Sequence, residues 1–157
     1  MEEINILELA KFLVKAKTNT YAKEGENNEI KLEDGSNNFT FRKGNLTYKD
    51  KYFGFNPFSG QEVVLKDSKP IWSMNYYGKI ISNIVNQKKI YEFLMKAMML
   101  VKEDRPFRGP NEFKEENFIY KDKSEGDINY FSGAERILYK GKEVYVLLYH
   151  GGVILKD

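Results

Sequence analysis

Between Ile4 and Lys17 the apolar residues Leu9, Phe12, Leu13 and Ala16 recur at three- and four-residue spacing. That spacing puts them on one face of a helix. Lys11, Lys15 and Lys17 lie largely outside the stripe. A second stripe, over Lys88–Val101, runs through Ile90, Phe93, Leu94, Ala97, Met98 and Val101. It is the more apolar of the two and predicts the more buried helix. Asp104-Arg105-Pro106 ends it, because proline disfavours helical geometry in the residue before it. Elsewhere short runs of Phe, Tyr, Val, Ile and Thr alternate with Gly, Asn and Asp. These predict strands near 29–33, 38–42, 45–50, 61–66, 70–77, 117–123, 134–139 and 143–149. Asp67-Ser68 and Lys140-Gly141 read as tight hairpin turns. Asp34-Gly35 and Lys43-Gly44 are weaker turn signals.

The strand pattern repeats. Phe58–Ile81 aligns without a gap on Phe131–Ile154, with nine of 24 positions identical, beginning with Phe-Ser-Gly in both. Upstream, Asn45–Lys51 returns as Asn117–Lys123, and Phe12–Ala16 resembles Phe93–Ala97. Three blocks in the same order point to duplication of a helix-plus-antiparallel-strands unit. The predicted fold is α+β: a single domain over 1–157 with two pseudo-symmetric halves, about 4–87 and 88–157. Whether the halves share one sheet is open at this point. Strand alternation places Trp72, Met74 and Tyr76, with Tyr145, Leu147 and Tyr149, on the face against the helices. The other face carries Ile71, Ser73, Asn75 and Tyr77 in one half and Val144, Val146, Leu148 and His150 in the other. It is expected to be partly buried, with its polar groups needing partners: a ligand, water or backbone.

Composition narrows the chemistry. The 157 residues are 41% hydrophobic, enough for a core. With 25 Lys+Arg against 23 Asp+Glu the net charge is +2, no basis for direct DNA binding, which needs a marked basic excess or patch. There is no Cys and one His. Disulfides, thiolate nucleophiles and Cys- or multi-His-ligated metals are therefore excluded. No phosphate-cradling glycine loop and no Gly-x-Ser-x-Gly elbow occurs, so no cofactor is expected. The acidic Met1-Glu2-Glu3 start and the lack of a long apolar run lead to an expectation of a cytoplasmic protein without a membrane partner.

A few residues could carry function. His150 precedes Gly151-Gly152 at a strand end, where it could act as base or donor. Arg105-Pro106-Phe107-Arg108-Gly109-Pro110 is the one compact basic segment. Its arginines suit an anion clamp, although ion pairs with the acidic stretch Glu112–Glu116, or capping of the preceding helix, are the commoner fate. Glu62 and Glu135 match across the repeat, as do Asp50 and Asp122. They could form a carboxylate pair or cation site, but a role shared by both halves argues for structure, with each Glu fixing a Phe-Ser-Gly turn. Trp72, Tyr77 and the neighbouring tyrosines could stack a flat ring.

Several of these blocks together resemble an uncharacterised bacterial domain family often found behind Xre-type helix-turn-helix regulators. They include Tyr48-Lys49-Asp50, Phe58-Ser59-Gly60-Gln61-Glu62, Met74-Asn75-Tyr76-Tyr77-Gly78, Pro106-Phe107-Arg108-Gly109-Pro110 and His150-Gly151-Gly152. The resemblance implies a ligand-sensing or interaction module. No room for a helix-turn-helix is expected before Ile4, which leaves a stand-alone binder. The expectation is a non-enzymatic domain for a small anionic or nucleotide-like ligand, sensed or sequestered. Trp72, Asn75, Tyr77 and His150 would stack and hydrogen-bond it, and Arg105 and Arg108 would meet its charge. Two alternatives stay open: a hydrolase-type enzyme using His150 with Glu62 or Glu135, and a homodimeric interaction module.

Overall fold

The computed structural model describes residues 5–21 and 29–154. Helix α1 spans Ile6–Tyr21 and α2 spans Gln87–Met98. Nine strands follow in chain order: β1 Ile30–Lys31, β2 Asn37–Lys43, β3 Leu46–Gly54, β4 Phe58–Lys66, β5 Lys69–Ile80, β6 Glu112–Glu115, β7 Phe118–Asp127, β8 Tyr130–Tyr139 and β9 Lys142–Val153. They form one antiparallel sheet in the order β1-β2-β3-β4-β5-β9-β8-β7-β6. The fold is therefore α+β and mostly β. The two runs of strands share one sheet, joined where β5 pairs with β9.

Both helices lie where the apolar spacing put them, with shifted ends. The predicted start at Ile4 lies outside the described residues. α1 continues beyond Lys17 through Thr18, Asn19 and Thr20, whose side chains hydrogen-bond back to carbonyls within it. α2 is capped by Asn86, whose side chain accepts from Lys88 N–H at 2.8 Å. It ends at Met98, before the proline, through tightening turns from Leu100 and Val101. It is not the markedly more buried helix: each helix buries one face against its own part of the sheet.

The strands run longer than the apolar runs predict. Phe58-Ser59-Gly60 and its counterpart Phe131-Ser132-Gly133 are not turns: the first opens β4 and the second follows Tyr130 in β8. Gly60 lies opposite Tyr76 and Gly133 opposite Tyr149. A Cβ on Gly60 would stand 2.4 Å from the Tyr76 hydroxyl, and one on Gly133 would stand 2.3 Å from that of Tyr149. These glycines make room for tyrosine rings lying across them. β6 carries no apolar run and was not expected; it is a charged edge strand beside β7. Lys102 to Pro110, between α2 and β6, crosses the helix-covered side of the sheet. There Phe107 stacks on Phe131 with centroids 3.9 Å apart.

Trp72, Met74, Tyr76, Tyr145, Leu147 and Tyr149 are all buried in one core with both helices. The second face differs from expectation. Val144, expected on this face, is buried in the core cluster, whereas Tyr77 and Leu148 are exposed. An antiparallel sheet tolerates one solvated face, so its exposure does not conflict with the fold.

The hairpins at Asp67-Ser68 and Lys140-Gly141 are two-residue turns with positive φ at both positions, the twist such turns need. Ser68, at φ 66°, occupies a conformation that costs a residue with a Cβ about 1–2 kcal/mol. Ser68→Gly removes that cost, less about 0.5–1 kcal/mol for the chain entropy glycine loses on folding, and should raise the melting temperature by about 1–4 °C in differential scanning calorimetry. A fall would mean that the Ser68 side chain stabilises the turn.

Candidate functional site

Four carboxylates project from the helix-covered face of the sheet. Asp50 and Glu62 are cross-strand partners on β3 and β4, and Asp122 and Glu135 are partners on β7 and β8. All four are buried. A buried carboxylate without partners is costly, and each of these has been given donors.

Glu135 is saturated. Arg108 reaches it through two nitrogens, at 3.0 and 2.8 Å, while Tyr120 and Tyr145 donate at 2.5 and 2.9 Å. The Tyr120 hydroxyl accepts from the Gly109 N–H at 2.9 Å, fixing the loop that delivers Arg108. Asp122 accepts from Tyr149 and pairs with Arg105, which also donates to Ser124. In the other half Tyr76 donates to Asp50 at 2.7 Å. Glu62 accepts from the Lys17 ammonium at 2.5 Å, and the same ammonium donates to the Phe107 carbonyl at 2.6 Å. The second oxygen of Glu62, Oε1, is buried without a hydrogen-bond partner among the described residues.

Burial, then the Glu62 charge, pushes Asp50 up to about 7. Burial and the Glu135 charge do the same to Asp122, also to about 7. Burial pulls the Lys17 ammonium down, against the opposing pull of Glu62. Tyr120 and Tyr145 are pushed well up, first by burial and then by the Glu135 charge. The hydroxyls thus stay protonated and act as donors.

Several expectations need correction. Arg105 and Arg108 do not pair with Glu112–Glu116 or cap α2; they hold Asp122 and Glu135. Glu62 and Glu135 fix no turn, because their donors are side chains. Lys17 was placed outside the apolar stripe but is fully buried. Its signal was the Leu9, Leu13, Lys17 spacing, which continues one helix row. Among the described residues no three metal-ligating side chains gather to hold an ion.

The sheet separates the six candidate ligand residues. Trp72, Arg105 and Arg108 lie on the helix-covered side, where Trp72 donates to the Ile128 carbonyl at 3.1 Å. Asn75, Tyr77 and His150 lie on the open side. Asn75 and His150 are direct cross-strand partners. They line an open concavity of about 410 Å³ together with Ser73, Ser132 and Tyr130. His150 is thus on the opposite face from buried Glu62 and Glu135, and no hydrogen bond can join it to either.

A family model described as "Domain of unknown function (DUF5680)" matches residues 50–154. The chain belongs to that family. The DUF5680 match takes in all four carboxylates, both arginines and the open concavity. It begins after α1, so Lys17 comes from outside it. No curated protein and no solved structure matches the chain. No helix among the described residues is long and apolar enough to cross a membrane.

Two predictions follow from the carboxylates. Lys17→Met leaves the Glu62 charge buried without its cation and should cost about 3–5 kcal/mol in denaturant unfolding. Adding Glu62→Gln should restore most of that loss; no rescue would show that Lys17 acts through packing alone. The second concerns pH. Asp50 and Asp122 hold protons up to about 7 when folded but only to about 3.8 in an ordinary environment. The folded state therefore binds more protons between these values, and this contribution to stability falls as pH rises from about 4 to about 7. Asp50→Asn should flatten the fall and raise the melting temperature at pH 8, as read by thermal melts across that range. An unchanged profile would place the titration elsewhere.

Proposed function

We propose that this DUF5680 chain is a non-enzymatic binding module that holds a small, flat, nucleotide-like molecule on the open face of its sheet. The concavity between β5, β9 and β8 carries this reading. Ser73, Asn75, Ser132 and His150 offer uncharged donors and acceptors at its floor, and Tyr130 stands at its side. Such a lining fits the edge and face of a heterocycle. The two buried arginines are engaged by Asp122 and Glu135, so a ligand's charge would meet open-face cations such as Lys49. Lys49 stands two strands from Ser73 in the same cross-strand row. The resemblance to domains carried behind Xre-type regulators supports sensing; sequestration is the other use of such a binder.

We also infer that the two four-strand meanders, β2–β5 and β6–β9, are copies of one unit. The offset that carries Phe58 to Phe131 also carries Tyr76 to Tyr149. Those two tyrosines are direct partners in the β5–β9 ladder. A two-fold axis between them would exchange the halves, and Asp50–Glu62 would fall on Asp122–Glu135.

A native-state ligand at 100 times its Kd adds about 2.7 kcal/mol, or roughly 5–10 °C of melting temperature for a chain of this size. A thermal-shift screen of nucleosides, nucleotides and neutral heterocycles should yield such a shift. His150→Ala and Asn75→Ala should abolish it while leaving the unliganded melting temperature unchanged. No shift across the screen would overturn the proposal.

A further inference from the structure

The open face holds more than the concavity. Tyr130 is 84% exposed, Tyr77 52% and Phe53 46%. The three rings project from β8, β5 and β3, with Phe53 and Tyr77 in one cross-strand row through Ser59. Gln61, Asn75, His150 and Ser132 form one cross-strand row over four adjacent strands. Gln61 donates to Asn75 at 2.9 Å, leaving the other polar groups of the row facing outward.

Strand register also sorts the charge. Arg42, Lys49, Lys79, Lys121, Lys123 and Arg136 alternate onto this face and are exposed. The strand acids sharing it are Glu112, Glu125, Asp127 and Glu143, and Asp127 turns back to accept from Asn129 in its own hairpin. Glu143 holds Arg136, and Glu112 lies 4.0 Å from Lys121. Arg42, Lys49, Lys79 and Lys123 have no ion pair among the described residues. A net charge of +2 over the whole chain therefore conceals a face that these four cations share with the exposed rings, one of which, Phe53, has Lys51 over it at 5.6 Å.

We infer that this face is a platform for single-stranded RNA. The inference rests on the proposed nucleotide-like ligand and extends it to a polymer. Each RNA unit carries a flat base, an anionic phosphate and a 2′-hydroxyl. The face presents stacking rings, unpaired cations and a row of hydrogen-bonding side chains to match. Tyr77, Phe53 and Tyr130 stack bases, and Lys49, Lys79 and Lys123 follow the backbone. Asn75, His150 and Ser132 meet base edges and 2′-hydroxyls. Duplex DNA fits poorly, because its major groove admits a helix or a two-stranded ribbon, not a nine-stranded sheet face.

The test is fluorescence anisotropy of the full chain with labelled 12-nucleotide RNA of mixed sequence. The same DNA strand, a DNA duplex and a mononucleotide serve as competitors. RNA should bind most tightly. Tyr77→Ala should weaken it about tenfold, while Tyr77→Phe should bind like the parent, since stacking uses the ring. Replacing Lys79 and Lys123 by Gln should reduce the slope of log K against log salt by about 1.4. Calorimetric melts confirm that each variant is folded. Equal binding of single-stranded DNA, or tighter binding of the duplex, overturns the assignment to RNA. If the mononucleotide binds and the RNA binds no more tightly, the platform falls and the small-ligand reading stands. If neither binds, both fall. A dimer in sedimentation equilibrium that Tyr77→Ala disperses would assign the face to a second copy of this chain and also overturn the inference.

Discussion

Four carboxylates under the helices impose the constraint that organises the rest. Asp50, Glu62, Asp122 and Glu135 face the core because strand alternation puts them in the same rows as Tyr48, Val64, Tyr120 and Ile137. Buried charge has to be met where it lies, and the neighbouring strands meet part of it with tyrosine hydroxyls. The cations must come from elsewhere. Lys17 descends from α1, and Arg105 and Arg108 arrive on the loop after α2. The helices and that loop are therefore held to the sheet by polar contacts of fixed geometry as well as by apolar burial. Replacing such a network with apolar residues can be neutral or stabilising, whereas breaking one member is costly. Its value here is best described as specificity: it sets how α1 and the Arg105–Gly109 loop sit over the sheet.

The two halves solve the same problem unequally. Glu135 receives four hydrogen bonds, two of them from one guanidinium. Glu62 receives its cation through a single ammonium and keeps Oε1 without a hydrogen bond among the described residues. A planar guanidinium can serve both oxygens of a carboxylate, but an ammonium cannot. The half bearing Lys17 thus has the less complete network, and the cation completing it lies outside the residues that match DUF5680. The position of α1 is the part of this chain in which the family match has least say.

Much of the fold was legible because its signals are local. Three- and four-residue spacing marked both helices, and the turn residues marked the hairpins at Asp67-Ser68 and Lys140-Gly141. Alternation identified the six core-facing residues of β5 and β9. The repeat located the paired carboxylates and led to a structural role for them. The partners were not legible. Whether Arg108 meets Glu135 or Glu112 depends on where a loop crosses a sheet, and no spacing encodes that. Lys17 was hidden because a lysine in a helix reads as solvated, although it continues the Leu9–Leu13 row. Gly60 and Gly133 read as turn glycines because the tyrosines that need their space are 16 residues away in sequence.

The candidate site was half legible for the same reason. Residues that differ between the two matching sequence segments were the natural choice for function, and of these Asn75, Tyr77 and His150 lie on the open face. The same reasoning marked Trp72 and Arg108, yet these sit in the core. Difference alone cannot separate a residue freed for ligand contact from one that fits an asymmetric core. Side decides between them, and side is a matter of register. Once β5 pairs with β9 so that Asn75 meets His150, even-numbered β5 residues from Trp72 to Gly78 go under the helices and odd-numbered ones from Ile71 to Lys79 go outward. The covered face then has its charges engaged by one another, with Glu62 Oε1 the exception. The open face keeps Tyr77 and Tyr130 exposed and leaves Arg42, Lys49, Lys79 and Lys123 without an ion pair among the described residues, and that asymmetry makes it the side on which to look for a ligand.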